Sequence, residues 1–172
     1  MLPMLRQIFR TGIVSEPAPV ADTALRIATQ QLSAAMARQL GRALVIRYVD
    51  AGSCNGCELE VQALNNPYYN LEALGIRFAA SPRHADLLLV SGPVAKNMEV
   101  ALKRAYDATP APKLVVAVGD CGCTGGIFGE SYASCGRVAN VIPVDVAIPG
   151  CPPTPLQLLQ GILAAIAPAA ES

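Results

Sequence analysis

The chain has 172 residues, enough for one domain to bury most of its apolar surface without disulfides, so its six cysteines are free for chemistry. Lysine plus arginine and aspartate plus glutamate number 13 each, which excludes the overall basic field that drives sequence-independent nucleic-acid binding. With 52% apolar and 15% charged residues, the composition predicts that partner chains cover part of the surface, as in an obligate subunit.

Residues 1–22 read as an interaction arm and residues 23–172 as the domain. In the arm, "MLPMLRQIFRTG" has an apolar face and two arginines, which suits a short amphipathic helix, and the Pro-rich "SEPAPVAD" suits an extended linker. No uninterrupted h-region, small-residue cleavage site or twin arginine follows, so the chain is expected to be cytoplasmic. From Thr23 to Leu40, the residues Leu25, Ala28, Leu32, Ala35, Met36 and Leu40 recur with a helical period, and Gly41 follows as a stop.

Five apolar, β-branched runs come next: "ALVIRYV" (43–49), "IRFAA" (76–80), "DLLLVS" (86–91), "KLVVAV" (113–118) and "VDVAI" (144–148). Such nearly continuous apolar runs fit strands covered on both faces, as in a parallel sheet. Between the third and fourth, "VAKNMEVALKRAYDA" places Val94, Met98, Ala101, Leu102 and Ala105 on one helical face and offers Glu99 and Lys103 as an i,i+4 ion pair. "PGCPPTPLQLLQGILAAI" starts a last helix, since proline is tolerated in a first helical turn and not in its interior. The order predicts an α/β fold with right-handed crossovers. The longest apolar tract, "LLQGILAAIAPAA", is shorter than the roughly 20 residues that span a bilayer, so membrane association is expected to be peripheral.

Cys54 and Cys57 follow the first strand, Cys121 follows "KLVVAVGD", and Cys151 follows "VDVAIPG". Their loops therefore leave the C-terminal ends of three strands, the edge of an open parallel sheet where ligands bind. Four converging thiolates match the ligand set of a 4Fe-4S cluster, whose iron atoms prefer soft sulfur donors. Gly52, Gly56, Gly119, Gly122, Gly125, Gly126 and Gly150 crowd these cysteines and allow backbone amides to approach sulfur.

Rival readings attach to the same residues. A thioredoxin-like dithiol suits Cys54 and Cys57 but leaves Cys121 and Cys151 unexplained. A four-cysteine zinc site usually uses two paired knuckles, and only one pair is present. Any single thiol could be a buried, inert side chain; that reading is preferred for Cys135 and for Cys123, although Cys123 stands close enough to Cys121 to compete as a ligand. His84 in "SPRHAD" reads as a structural or interface residue, and Arg77 and Arg83 as solvated surface charges.

The stretches "GSCNGCELE", "VAVGDCGCTGGIF" and "IPGCPPTP", in that order, resemble the small subunit of nickel-iron hydrogenases, in the branch shared with the 20 kDa subunit of respiratory complex I. The similarity is closest to membrane-bound group 4 hydrogenases of the hydrogenase-4 and formate hydrogenlyase kind. It runs from the first strand into the last helix, and the arm "IFRTGIVSEPAP" is also similar to theirs. The resemblance implies a flavodoxin-like open parallel sheet with helices on both faces and one 4Fe-4S cluster at the C-terminal strand edge, held by Cys54, Cys57, Cys121 and Cys151.

It further implies docking on a large subunit that carries nickel and iron, or on that subunit's complex I-like homologue. A ferredoxin-like iron-sulfur subunit would stand beside it, and membrane subunits would be met by peripheral contact on the cytoplasmic side of the inner membrane. Gly125 and Gly126 match the family's glycine pair, and Glu58 or Glu60 stands where an acidic residue faces the large subunit; a role at a helix N-terminus suits these glutamates equally. Complex I relatives carry adjacent cysteines where this chain has C-x-x-C, so the resemblance favours an electron-relaying hydrogenase subunit. The alternative is a quinone oxidoreductase subunit with the cluster beside a quinone site. Uptake hydrogenase small subunits add a twin-arginine leader and a C-terminal extension for further clusters; without these features, one cluster is expected here.

Overall fold

The five apolar runs form β1 (Leu44–Asp50), β2 (Ile76–Phe78), β3 (Leu87–Ser91), β4 (Leu114–Val118) and β5 (Val146–Ile148). The computed structural model describes residues 2–12, 23–39 and 41–166. All neighbouring strands pair in parallel, in the order β2-β1-β3-β4-β5. This is the doubly wound, flavodoxin-like order, in which ligands bind beyond the carboxyl ends of the strands.

Successive side chains of a strand point to opposite faces, so a run that is apolar throughout needs cover on both. Leu44, Ile46, Leu87, Leu89, Val116, Val118 and Ile148 pack on one face against α2 (Thr23–Gln39), α3 (Gly56–Ala63) and α6 (Pro155–Ile166). Val49, Leu88, Val90, Val115 and Ala117 pack on the other against α4 (Lys96–Ala108), through Leu102, and against Val138 and Ile142. Leu25, Ala28, Leu32 and Ala35 form the buried stripe of α2; Leu40 and the side chain of Met36 lie outside the described residues. Along α4 the buried stripe is narrower than the sequence pattern, since Leu102 is buried but Ala101 is exposed. Lys103 Nζ meets Glu99 Oε1 at 2.7 Å, the expected i,i+4 pair.

Two strands are shorter than their apolar runs. Ala79 donates its N–H to the Ile46 carbonyl as the last bond of the β2 edge, and the chain then turns at Ser81 and Pro82. At β5, Asp145 uses its own backbone and side chain on one residue: its N–H donates to the Val115 carbonyl, while its Oδ2 accepts the Val115 N–H at 2.7 Å.

In the arm, α1 (Leu2–Thr11) forms with Met4, Leu5, Ile8 and Phe9 exposed. The expected linker, residues 13–22, and the C-terminal residues 167–172 lie outside the described residues. Among the described residues, no helix is long and apolar enough to cross a membrane.

Candidate metal centre

The loop after β1 is shaped before it reaches its first cysteine. Asp50 Oδ1 accepts the N–H groups of Gly52 and Ser53 at 2.9 and 2.7 Å, folding the chain back over the end of the strand. The Ala51 N–H donates to the Ser91 carbonyl, and the Ala95 N–H donates to the Ala51 carbonyl, which ties this loop to the one leaving β3. Gly92 is required at that junction: a Cβ there would lie 2.4 Å from the Ser53 nitrogen. Asn55 then takes a left-handed conformation, φ 77°, and α3 begins, leaving Cys54 exposed and Cys57 turned inward.

Cys121 does not stand in an open loop. It sits within α5 (Gly119–Thr124), a short helical segment ended by Gly125 in the left-handed region. Its sulfur lies against Gly126, where a Cβ would approach to 2.8 Å. Gly119, at the start of the same turn, faces Cys57; a Cβ there would lie 2.6 Å from that sulfur. Cys151 follows Gly150 in the turn after β5 and is exposed. A Cβ at position 56 would lie 3.7 Å from the Cys54 sulfur and 3.8 Å from Pro152, so the first and last cysteine loops come close together.

The structure thus brings Cys54, Cys57, Cys121 and Cys151 to one sheet edge, where their thiols act on one another. Burial, followed by the charges of Cys54, Cys121, Cys151 and Asp120, pushes the Cys57 thiol up to about 11. The Cys121 thiol is raised by burial first, then by Cys151, Cys54 and Asp120. Protons held this firmly would be displaced by a cation that bonds sulfur. Among the described residues, no three His, Cys, Asp or Glu side chains stand close enough to hold a single metal ion. The space beside the Cys57 and Cys121 sulfurs is kept free of Cβ atoms at Gly119 and Gly126.

Cys123 points elsewhere. Its sulfur donates to the Ala117 carbonyl at 3.7 Å, and burial together with Asp120 pushes its thiol up to about 11. Cys135 is buried beside Glu99, donating to Oε2 at 3.4 Å, on the face covered by α4. Glu58 and Glu60 are half-buried in the first turns of α3, with Glu58 accepting from Gln62. His84, Arg77 and Arg83 line a cavity of about 620 Å³ with Arg42 and Lys113, at the opposite, N-terminal edge of the sheet. Asp50 and Asp120 shape the site and were not singled out from the sequence; the D-x-G-S pattern of an Asx turn could have marked the first.

Comparison with known proteins shows the family. The model of the family described as NADH ubiquinone oxidoreductase, 20 Kd subunit, matches residues 54–165. The probable membrane-bound hydrogenase subunit mbhJ of Pyrococcus furiosus is 42% identical over 77% of this chain and 80% of its own length. Formate hydrogenlyase subunit 7 of Escherichia coli is 42% identical over 78% of this chain, which spans only 53% of that relative. A chain in the structure of the membrane-bound sulfane sulfur reductase, an archaeal respiratory membrane complex, superposes with a TM-score of 0.64 at 34% identity, covering 78% of this chain and 73% of that one. The family match begins at residue 54 and ends at residue 165, in keeping with the family that the three motifs resemble. On this ground the chain belongs to the 20 kDa subunit family of NADH ubiquinone oxidoreductase, whose members are oxidoreductase subunits acting within larger complexes.

Proposed function

We propose that this chain is the electron-transfer small subunit of a multisubunit, membrane-associated nickel-iron hydrogenase, holding one 4Fe-4S cluster through Cys54, Cys57, Cys121 and Cys151. The observation that carries the reading is the cradle at the C-terminal sheet edge: four cysteines on three segments, with glycine wherever a Cβ would press on the Cys57 or Cys121 sulfur. When bound, such a cluster accepts and donates single electrons. The chain's own part is to fix the sulfurs, exclude water and set the local field.

In this reading the cluster relays electrons between a ferredoxin-like iron-sulfur subunit and a large subunit with the nickel-iron site. Membrane subunits are met peripherally, on the cytoplasmic side of the inner membrane. Residues 1–22 act as an interaction arm, which is supported by the exposed Met4, Leu5, Ile8 and Phe9 of α1. The test uses the complex purified without oxygen. Cys151→Ala is expected to lose the EPR signal of the reduced cluster, while Cys135→Ser keeps it; an unchanged signal in Cys151→Ala sinks the ligand assignment.

The family description itself favours one second reading, a complex I-like subunit whose cluster stands beside a quinone. Cysteine pairs at both ends of the partner large subunit, together with hydrogen-dependent reduction by the complex, speak for the hydrogenase. Quinone-dependent turnover without nickel speaks for the second reading.

A further inference from the structure

The segments that carry Cys121 and Cys151 are held together by a single residue beside each. Asp120 donates its backbone N–H to the Gly150 carbonyl at 2.9 Å, and its Oδ1 accepts the Gly150 N–H at 2.8 Å. Both polar backbone groups of Gly150 are thereby spent on Asp120, which fixes the two segments against sliding and against rotation. Position 150 admits only glycine: φ is 136°, and a Cβ would lie 2.7 Å from the Pro153 Cα. Cys121 follows Asp120 and Cys151 follows Gly150, so each thiol hangs one residue from this clamp. The carboxylate's charge also reaches the Cys57 and Cys121 thiols.

We propose that Asp120 is the positioning residue of the metal centre, locking the Cys121 and Cys151 segments in register through Gly150 and holding down the reduction potential of the bound group by its fixed negative charge. The inference rests on the cluster reading above. One bond of the clamp is backbone to backbone and survives any side chain at 120; the other needs an acceptor oxygen there. An anion beside the centre disfavours the one-electron reduction by a partner iron-sulfur subunit, because the added electron meets a charge of like sign in a medium that screens poorly.

Asp120→Asn and Asp120→Ala separate the two effects in the purified complex, read by iron content and by EPR-monitored redox titration. The asparagine keeps an acceptor oxygen and loses the charge. Its iron content should match wild type, while the ratio of reduced to oxidised cluster at a fixed ambient potential rises about tenfold, a positive shift of about 59 mV for one electron. Asp120→Ala loses the acceptor as well and should retain roughly half the wild-type iron or less, since a backbone N–H at the site is left without its partner. Should the alanine complex fail to assemble, the asparagine potential decides.

An unshifted potential in Asp120→Asn overturns the proposal. So does full iron content in Asp120→Ala, or iron loss in Asp120→Asn as severe as in the alanine variant. A wild-type complex without a four-cysteine cluster overturns the functional reading and this inference together. Wild-type cluster with unmoved variants overturns this inference alone.

Discussion

Gly119 stands so close to Cys57 that a Cβ at position 119 would lie 2.6 Å from the Cys57 sulfur. The glycine belongs to the β4–α5 junction and the cysteine to α3, so the contact joins two of the three cysteine-bearing segments. Gly129 provides a control, with φ 54° against 78° at Gly119 and no atom within 4 Å of where its Cβ would be. Either Gly→Ala change places a side chain in the left-handed region at a cost of about 1 kcal/mol. Only Gly119→Ala should also displace the Cys57 sulfur, so, if Cys57 is a ligand as proposed, iron content should fall in Gly119→Ala and persist in Gly129→Ala. Equal iron in the two variants would argue against the cradle.

Gly161 of α6 and Ile148 of β5 are matched in the same way. A Cβ at 161 would lie 2.2 Å from Ile148 Cδ1 and 2.3 Å from its Cγ1. Gly161→Ala should lower stability by about 1–3 kcal/mol through overpacking, despite the better helix propensity of alanine. In an Ile148→Ala background the clash is gone, and the same substitution should stabilise. Thermal or denaturant unfolding of the four proteins checks the reversal of sign; additive effects would show that the contact relaxes freely.

Asp86 holds the N-terminal edge of the sheet. Its Oδ2 accepts the Val45 N–H at 3.0 Å, its carbonyl accepts from Leu114, and its Oδ1 pairs with Arg42, whose side chain is 62% exposed. The exposed ion pair is worth little, so Arg42→Ala should cost less than about 1 kcal/mol. Asp86→Ala leaves a strand N–H without its acceptor and should cost about 1–3 kcal/mol. Chevron or equilibrium unfolding data giving equal losses for the two would refute this ordering.

Tyr48 bonds to Ser91 Oγ at 2.5 Å, yet burial outweighs that bond and pushes its hydroxyl up to about 12. An unfolded chain ionises the same phenol near about 10. Between these values the unfolded state has released its proton and the folded state has not, so stability falls as pH rises through the window and levels off above it. An ultraviolet difference titration of the folded protein should show a phenol component ionising at about 12. Tyr48→Phe should remove that component together with its share of the alkaline loss of stability; a titration unaltered by the substitution would contradict the burial argument.

Several features were legible because they are local. The five strands are runs of apolar, β-branched residues that only a sheet covered on both faces can use, and the buried stripe of α2 recurs at a helical spacing. The three cysteine motifs follow strands, and in a parallel sheet the ends of those strands share an edge. Other features were not. In "GDCGCTGG" the glycines argue against a helix, yet α5 forms there with Gly119 and Gly122 buried.

What the sequence by itself determined, then, was the class of fold, the family and the four cysteines that reach one edge, since each follows from residue type and short-range order. The tertiary structure supplied the physical reason that separates Cys121 from Cys123. Two residues apart on a helical turn, they face opposite sides, one toward the other three cysteines and the other toward the Ala117 carbonyl. It also revealed Asp120, whose partner Gly150 is 30 residues away. A contact between distant positions leaves no periodic mark on the chain, and it becomes visible only when the strands are side by side.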